Sequence, residues 1–153
     1  MDQHMSVLDR AIRSCLNLGA AGFAYSGVRE AESAALGKYL EAEFTHPATH
    51  RQVTIAYFPE PTDPRANETL CVHVRRDATN PYSGTFIIER FLEHKGCESA
   101  ALHALDLRAH SGSVAERVMG VLLEVARIFE GDLRDVIAGT QWVDVPFDWG
   151  DYK

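Results

Sequence analysis

The chain of 153 residues is the length of one domain, and its content of 46% hydrophobic and 24% charged residues excludes extensive disorder and fibrous architectures. Its formal net charge of -7 at pH 7 disfavours direct binding to nucleic acid, because phosphate contacts are made by basic residues. The same charge favours a basic protein partner, since opposite potentials raise association rates.

The beginning of the chain and its cysteines indicate a compartment. MDQHMSVLDR lacks the basic region and apolar core of a signal peptide, and no apolar run approaches the roughly 18 residues of a membrane span. Cys15, Cys71 and Cys97 are an odd number and widely separated, which is typical of reduced thiols. We therefore expect a cytoplasmic protein with no membrane segment.

Two helices are predicted before any strand. Apolar residues at helical spacing predict an amphipathic helix over residues 6–18, ended by Gly19. Residues 20–25 fit either a short extended segment or a turn. Between residues 28 and 44 the apolar spacing is helical again and predicts a second helix, carried by Ala31, Ala35, Leu36, Tyr39, Leu40 and Phe44.

The period of the pattern then changes from near 3.6 to 2, which indicates strands. Apolar residues alternate over residues 52–58 and 70–75, and a third alternating run covers residues 86–91. Residues 102–110 fit either a helix or a strand. We favour a strand because the segment continues the series of hairpins, so the runs predict an antiparallel meander.

The most heavily patterned stretch is SVAERVMGVLLEVARIFE, residues 113–130. Its apolar arc is wider than that of a surface helix and predicts a core helix. Ser113 and Glu116 have the spacing of a capping box, and Gly131 supplies a stop. Residues 132–138 add a helical turn or a short helix before Gly139.

These elements predict a single α+β domain over residues 1–153, in the order α-α-β-β-β-(β)-α. The expected architecture is a three- or four-stranded antiparallel sheet with helices packed on one face. The other face of such a sheet can stay in contact with water. We expect polar residues there, including Thr54, His73, Arg75, Glu89, Asp106 and Arg108.

Common catalytic motifs are missing from the sequence, which has no P-loop, GxGxxG, HExxH, CxxC or GxSxG pattern. His46 and His50 straddle Pro47, which disfavours joint metal binding, and Cys97 beside His94 is the best candidate for a reactive thiol. An incidental loop thiol explains Cys97 better. We predict no metal, no cofactor and no enzymatic activity.

The C-terminal tail combines rings and acids. Both tryptophans lie there, interleaved with aspartates, and such a pattern suits an interface with a basic protein. Alternatively, Trp142 and Phe147 fold back onto the core, which we favour for those two rings. A proline-rich loop at residues 59–68 is a second candidate contact region. The predicted partner-binding residues are Trp142, Asp144, Asp148, Trp149, Asp151, Tyr152, Glu60 and Asp63.

In size, acidity, lack of catalytic motifs and its acidic aromatic tail, WVDVPFDWGDY, the chain resembles the immunity proteins of bacterial contact-dependent and other polymorphic toxin systems. The resemblance implies a monomer or homodimer that neutralises a basic toxin domain by occluding its active site. One alternative is a type III-like secretion chaperone for an effector. A second is a small enzyme or ligand-binding domain that uses the sheet face with His73, Glu89, Asp106 and His103.

Overall fold

The computed structural model describes residues 2–61, 67–97 and 99–145. It confirms the predicted class, α+β, with an antiparallel sheet and helices. None of the described helices is long and apolar enough to cross a membrane. The elements are α1 (Asp2–Cys15), β1 (Ala24–Ser33), β2 (Gly37–Thr45), β3 (Gln52–Phe58), β4 (Thr69–Arg75), β5 (Thr85–Ile87), α2 (Ile88–Lys95), α3 (Ser99–His103), α4 (Val114–Glu130) and α5 (Arg134–Ala138), with short 3-10 turns at Leu18–Ala21 and Leu107–Ala109.

The sheet has five strands rather than the predicted three or four, in the order β1-β2-β3-β4-β5, and each strand is antiparallel to its neighbours. Because side chains alternate between faces, every second residue of each strand points to the same side. The inner face packs with Leu8, Ala11 and Ile12 of α1 and with the apolar arc of α4 in one core cluster. Its strand residues are all buried: Leu40, Ala42, Phe44, Val53, Ile55, Tyr57, Leu70, Val72, Val74 and Phe86.

Helix α4 follows the sequence prediction. The Ser113 side chain accepts a hydrogen bond from the Glu116 backbone N–H at 3.2 Å, and the Glu116 carboxylate accepts one from the Ser113 backbone, so the capping box is present. Gly120 allows a close approach, because a Cβ atom there would lie 2.4 Å from Nδ1 of His110. A larger residue at position 120 would displace the His110 ring.

The predicted second helix over residues 28–44 is wrong, because this region forms the β1–β2 hairpin. Alanine and leucine within it mimic helical spacing, but residues 40–45 also alternate strictly between apolar and polar. Burial of Leu40, Ala42 and Phe44 against the helices decides in favour of the strand. Gly37, at φ +80°, supplies the left-handed residue that ends the hairpin turn.

The third predicted strand is shorter than expected, and the fourth is replaced by helix and turn. Strand β5 ends at Ile87, because Ile88, Phe91 and Leu92 bury best at helical spacing on α2. Residues 102–110 contain the end of α3 and a 3-10 turn. The Asp106 side chain accepts a hydrogen bond from the Arg108 backbone N–H at 2.9 Å, which closes that turn and breaks the strand pattern.

Candidate functional site

The outer face of the sheet carries most of the polar strand residues, together with apolar Ala56, Phe58 and Ile87. Thr54, His73 and Arg75 lie there as predicted, since Thr54 pairs with His73 in the register of β3 and β4. Glu89, Asp106 and Arg108 do not, because they belong to α2 and the following 3-10 turn rather than to strands. The predicted polar face is therefore confirmed for β3 and β4 only.

The centre of this outer face is a pair of carboxylates on β2. Glu41 and Glu43 are only 14% and 31% exposed, and both contact the guanidinium of Arg29 on β1. The Arg29–Glu41 contact is a close hydrogen-bonded pair, whereas Glu43 Oε1 lies 3.7 Å from Arg29 Nη2. Burial raises the pKa of Glu43, and the adjacent Glu41 raises it further, against the opposing effect of Arg29. The single positive charge of Arg29 therefore lies beside two carboxylates.

An aromatic pair adjoins these carboxylates. The rings of Tyr39 and Phe58 stack at 4.6 Å between centroids and 21° between planes. The Tyr39 hydroxyl donates a hydrogen bond to Glu41 Oε2 at 3.3 Å, which connects the rings to the acids. Both rings are half-buried, so they present apolar surface beside negative charge.

His73 lies two strands from the carboxylates, in the row Glu43–Thr54–His73. Burial lowers the pKa of His73, although the Glu41 carboxylate acts in the opposite direction. The imidazole is therefore neutral at pH 7. It can donate or accept one hydrogen bond, but it contributes no charge to the face.

A cavity of about 480 Å³ opens beside β4. Strand β5 pairs only with residues His73–Arg75, so within the described part of the chain no strand pairs with the first part of β4 on that side. Across the gap, α3 and the 3-10 turn supply an apolar wall of Leu102, Leu105 and Leu107. The cavity therefore lies between an unpaired strand edge and a hydrophobic surface.

Glu89 is the most unusual group in this cavity. Its Oε2 atom is buried and makes no hydrogen bond within the described part of the chain. Burial raises the pKa of Glu89, and burial together with the Glu89 carboxylate raises the pKa of Cys71 to about 11. Cys71 is thus a protonated thiol at neutral pH and a poor nucleophile, whereas the Oε2 atom of Glu89 is a buried acceptor without a donor among the described residues.

Of the predicted contact residues, the structure describes Trp142, Asp144 and Glu60. The Trp142 ring packs 5.2 Å from that of Phe86 and stacks with the guanidinium of Arg51 at 5.1 Å, as the core-packing interpretation predicts. Arg51 directly precedes the first residue of β3, whereas exposed Glu60 lies just beyond its last residue. The strand between them spans about 20 Å. Asp144 lies beside Trp142 and accepts a hydrogen bond from its indole N–H at 3.1 Å.

The other predicted contact residues, Asp63, Asp148, Trp149, Asp151 and Tyr152, lie outside the described residues, as does Phe147. Whether the tail and the proline-rich loop contact a partner stays a prediction.

The residues of the predicted enzyme-like site are not brought together. Glu89 and Asp106 line the cavity, but His73 belongs to the outer face and His103 is exposed on α3. Asp106 is already paired with Arg108, whose Nη2 lies 2.9 Å from Asp106 Oδ2. Among residues 2–61, 67–97 and 99–145, no group of three or more His, Cys, Asp and Glu side chains could hold a metal ion.

Sequence reasoning missed the acid pair, because it assigned residues 28–44 to a helix. The signal that could have found it is the alternation in KYLEAEFT, which places Tyr39, Glu41 and Glu43 on one side of a strand. A second missed feature is the apolar groove of about 370 Å³ where α4 and α5 meet the Leu18–Ala21 turn. Leu16, Leu18, Phe129 and Ile137 are among its lining residues.

Comparison with known proteins gives no relatives: no family model matches the chain, and neither the curated proteins nor the solved structures contain a match. Inferences about function therefore depend on the outer face, the cavity and the groove.

Proposed function

We propose that this protein is a binding module for a basic protein partner, and that the outer face of its sheet is the principal contact surface. The observation that carries the proposal is the arrangement of Glu41 and Glu43 beside the stacked rings of Tyr39 and Phe58. Aromatic rings supply apolar contact area at low entropic cost, while carboxylates accept hydrogen bonds from Lys or Arg.

The charges on this face suit a basic partner. Arg29 contacts both carboxylates, and Glu43, the more distant of the two from Arg29, is available to a second cation. The net charge of -7 extends this local preference over longer range and increases the rate of encounter at low salt. A partner cation close to Glu43 would also stabilise its ionised form.

The biological role that fits such a module is that of an immunity protein, which covers the active site of a basic toxin domain. This role follows the resemblance in size, charge and acidic aromatic tail. Occlusion needs a surface that is largely pre-formed, and a sheet held by a buried core on its inner face provides one. No chemistry by the protein itself is required.

The test uses a basic toxin domain encoded beside the gene for this protein. The chain should protect bacteria that express the toxin and should bind the purified domain. The double variant Glu41→Lys, Glu43→Lys should lose protection and bind at least a hundredfold more weakly, because it reverses the charge of the contact surface. The double variant Glu130→Lys, Asp132→Lys is the matched control, with the same charge change at exposed positions near the end of α4.

Equal loss in both double variants would show that only net charge matters, and full protection by the Glu41, Glu43 variant would exclude the outer face. Circular dichroism and thermal unfolding of each variant separate loss of binding from loss of folding.

A secretion chaperone is the second candidate, and the apolar groove favours it. A groove lined by leucines, Phe129 and Ile137 can accept an unfolded segment of an effector or a second copy of the chain. Sedimentation equilibrium distinguishes the two roles. A stable dimer that Phe129→Asp dissociates would support the chaperone, whereas a monomer at micromolar concentration supports the immunity role.

A further inference from the structure

The first half of β4 presents its backbone to the cavity. Residues of a strand direct their N–H and C=O groups alternately to the two edges. The Arg76 N–H donates to the Gly84 carbonyl at 2.9 Å, so even-numbered positions face the side of β5. Leu70 and Val72 therefore direct backbone groups to the same side, where β5 no longer runs alongside.

The sequence of this edge lacks the residues that usually prevent strand addition, and the cavity separates the edge from α3 and the 3-10 turn. Natural edge strands carry charges, prolines or bulges that prevent another chain from pairing with them. On β1, the opposite edge has a bulge between Tyr25 and Val28 and charged residues at positions 29, 30 and 32. The segment Leu70-Cys71-Val72 has neither charge, proline nor bulge.

The cavity also fits a basic side chain that accompanies a strand. Leu102, Leu105 and Leu107 can cover the aliphatic part of a Lys or Arg side chain. The same cavity contains Glu89, whose buried Oε2 has no donor within the described residues. By contrast, Glu68 at the rim already accepts hydrogen bonds from Tyr57 at 2.7 Å and from Arg117 at 2.9 Å.

We infer that the open edge of β4 binds an extended basic segment of a protein partner, which pairs with the backbone of Leu70 and Val72 and places a Lys or Arg side chain against Glu89. This is recognition by strand addition, in which main-chain hydrogen bonds give affinity and a side-chain pocket gives specificity. The site is separate from the acid pair on β2, so it does not depend on the function proposed for that face.

Binding is coupled to ionisation of Glu89. The groups that face it are Cys71 from β4, Asp106 and Arg108 across the cavity, and Glu93 one turn along α2. Burial raises the pKa of Glu89, and an incoming cation favours the ionised form. Affinity for a basic segment should therefore increase as pH rises through the pKa of Glu89, whereas a segment without a cation should show no such increase.

The experiment titrates the full chain with the fluorescein-labelled peptide TVTKTVT and follows fluorescence anisotropy. Replacing lysine with norleucine should weaken binding at least tenfold, and Glu89→Gln should weaken binding of the lysine peptide by a similar factor. Glu30→Gln is the matched control, since Glu30 is exposed on β1 at the opposite edge of the sheet, and it should bind like the unmodified chain. The variant Glu41→Lys, Glu43→Lys should also retain peptide binding.

Two N-methylated peptides test pairing with the strand without altering the protein. In one peptide the odd-numbered amides are methylated, and in the other the even-numbered amides. Each pattern removes the N–H donors on one edge of the peptide, so only the pattern on the edge that faces β4 should abolish binding. Bound peptide should also protect the amides of Leu70 and Val72 from hydrogen exchange.

Three results would overturn the inference: equal affinity for the lysine and norleucine peptides, equal effects of the two methylation patterns, or absence of binding at millimolar peptide. Competition by butylamine as effective as that by the peptide would also overturn it, because it would indicate a site for a small amine alone. If the peptide binds but the toxin test fails, the edge site stands and the proposed function of the outer face does not.

Discussion

The two faces of the sheet differ in what their residues contribute, although they are made by the same strands. On β2, Leu40, Ala42 and Phe44 are buried beneath the helices, while the intervening Glu41 and Glu43 share Arg29 on the outer face. The inner residues should determine stability, and the outer residues should determine binding. Successive side chains of a strand point to opposite faces. Substitutions at neighbouring positions therefore provide matched tests of whether the inner face determines stability and the outer face determines binding.

The largest expected effect is on the helix that covers the inner face. Leu122→Ala removes a side chain with 0% exposure from α4 and should lower the free energy of unfolding by about 2 to 5 kcal/mol, through lost burial and a cavity. Leu123→Ala is the control, because Leu123 is 56% exposed and should change stability by less than about 0.5 kcal/mol. Urea denaturation measures both values.

Partner binding by the molecules of the Leu122→Ala variant that remain folded should be unchanged. Similar stability losses in the two leucine variants would contradict the assignment of α4 to the core.

Two tyrosines on adjacent strands sharpen the comparison. Tyr57 is fully buried, and its hydroxyl donates to Glu68 at 2.7 Å, whereas that of Tyr39 donates to Glu41 at 3.3 Å on the outer face. Tyr57→Phe should cost about 1 to 2 kcal/mol, because it removes a buried hydrogen bond to a carboxylate. Tyr39→Phe should leave thermal stability nearly unchanged. A larger loss of stability for Tyr39→Phe than for Tyr57→Phe would contradict the assignment of stability to the inner face and of binding to the outer face.

A smaller effect, dependent on pH, is expected at Glu89. Burial raises its pKa in the folded state, so the neutral form is favoured by folding. The stability that Glu89 contributes through its neutral form is fully present below the pKa of Glu89 in the unfolded chain, near 4.5. This contribution is lost as pH rises through the pKa of Glu89 in the folded state. Each unit of difference between the folded and unfolded pKa of Glu89 corresponds to about 1.4 kcal/mol in the free energy of unfolding.

Glu89→Gln should therefore become progressively more stable than the unmodified chain as pH rises from 4.5 through the folded pKa of Glu89, as measured by urea denaturation at each pH. The difference should remain constant above the folded pKa. A difference that is independent of pH would show that Glu89 does not titrate in this range.

The smallest stability effect is expected for Arg29→Gln on the outer face. Arg29 is 62% exposed, so its pairing with Glu41 and Glu43 should contribute only about 0.5 kcal/mol. The loss should shrink further in 1 M NaCl, because salt screens exposed charges. Binding of a basic partner, in contrast, should become tighter, since both carboxylates lose their internal cation. Weaker binding would place Arg29 itself in the interface.

Local signals predicted the parts of the fold that do not depend on distant contacts. The capping box of Ser113 and Glu116 and the wide apolar arc identify α4 from sequence alone. Strands β3 and β4 follow from strict alternation. The β1–β2 hairpin could not be assigned in this way, because its alanines fit helical spacing equally well, and burial against α1 and α4 decides between the two.

The candidate site was less predictable for the same reason. The pairing of Glu41 and Glu43 with Arg29 requires the hairpin, and the open edge of β4 requires that β5 end at Ile87. The position at which β5 ends depends on two competing patterns. Alternation would continue the strand, whereas the helical spacing of Ile88, Phe91 and Leu92 favours α2. In the register of β4 and β5, extension of β5 by three residues, to Arg90, would place a strand partner opposite Leu70 and pair this edge.

The packing of α1 against α4 also affects how the chain folds during synthesis. The five strands form a meander, so each can pair with its predecessor soon after it leaves the ribosome. Helix α1 is made first, yet its partner lies far downstream: the Cys15 thiol contacts the Met119 carbonyl, 104 residues later, at 3.9 Å. Until α4 emerges, Leu8 and Ile12 lack their final cover, so the nascent chain should depend most on chaperones during this interval.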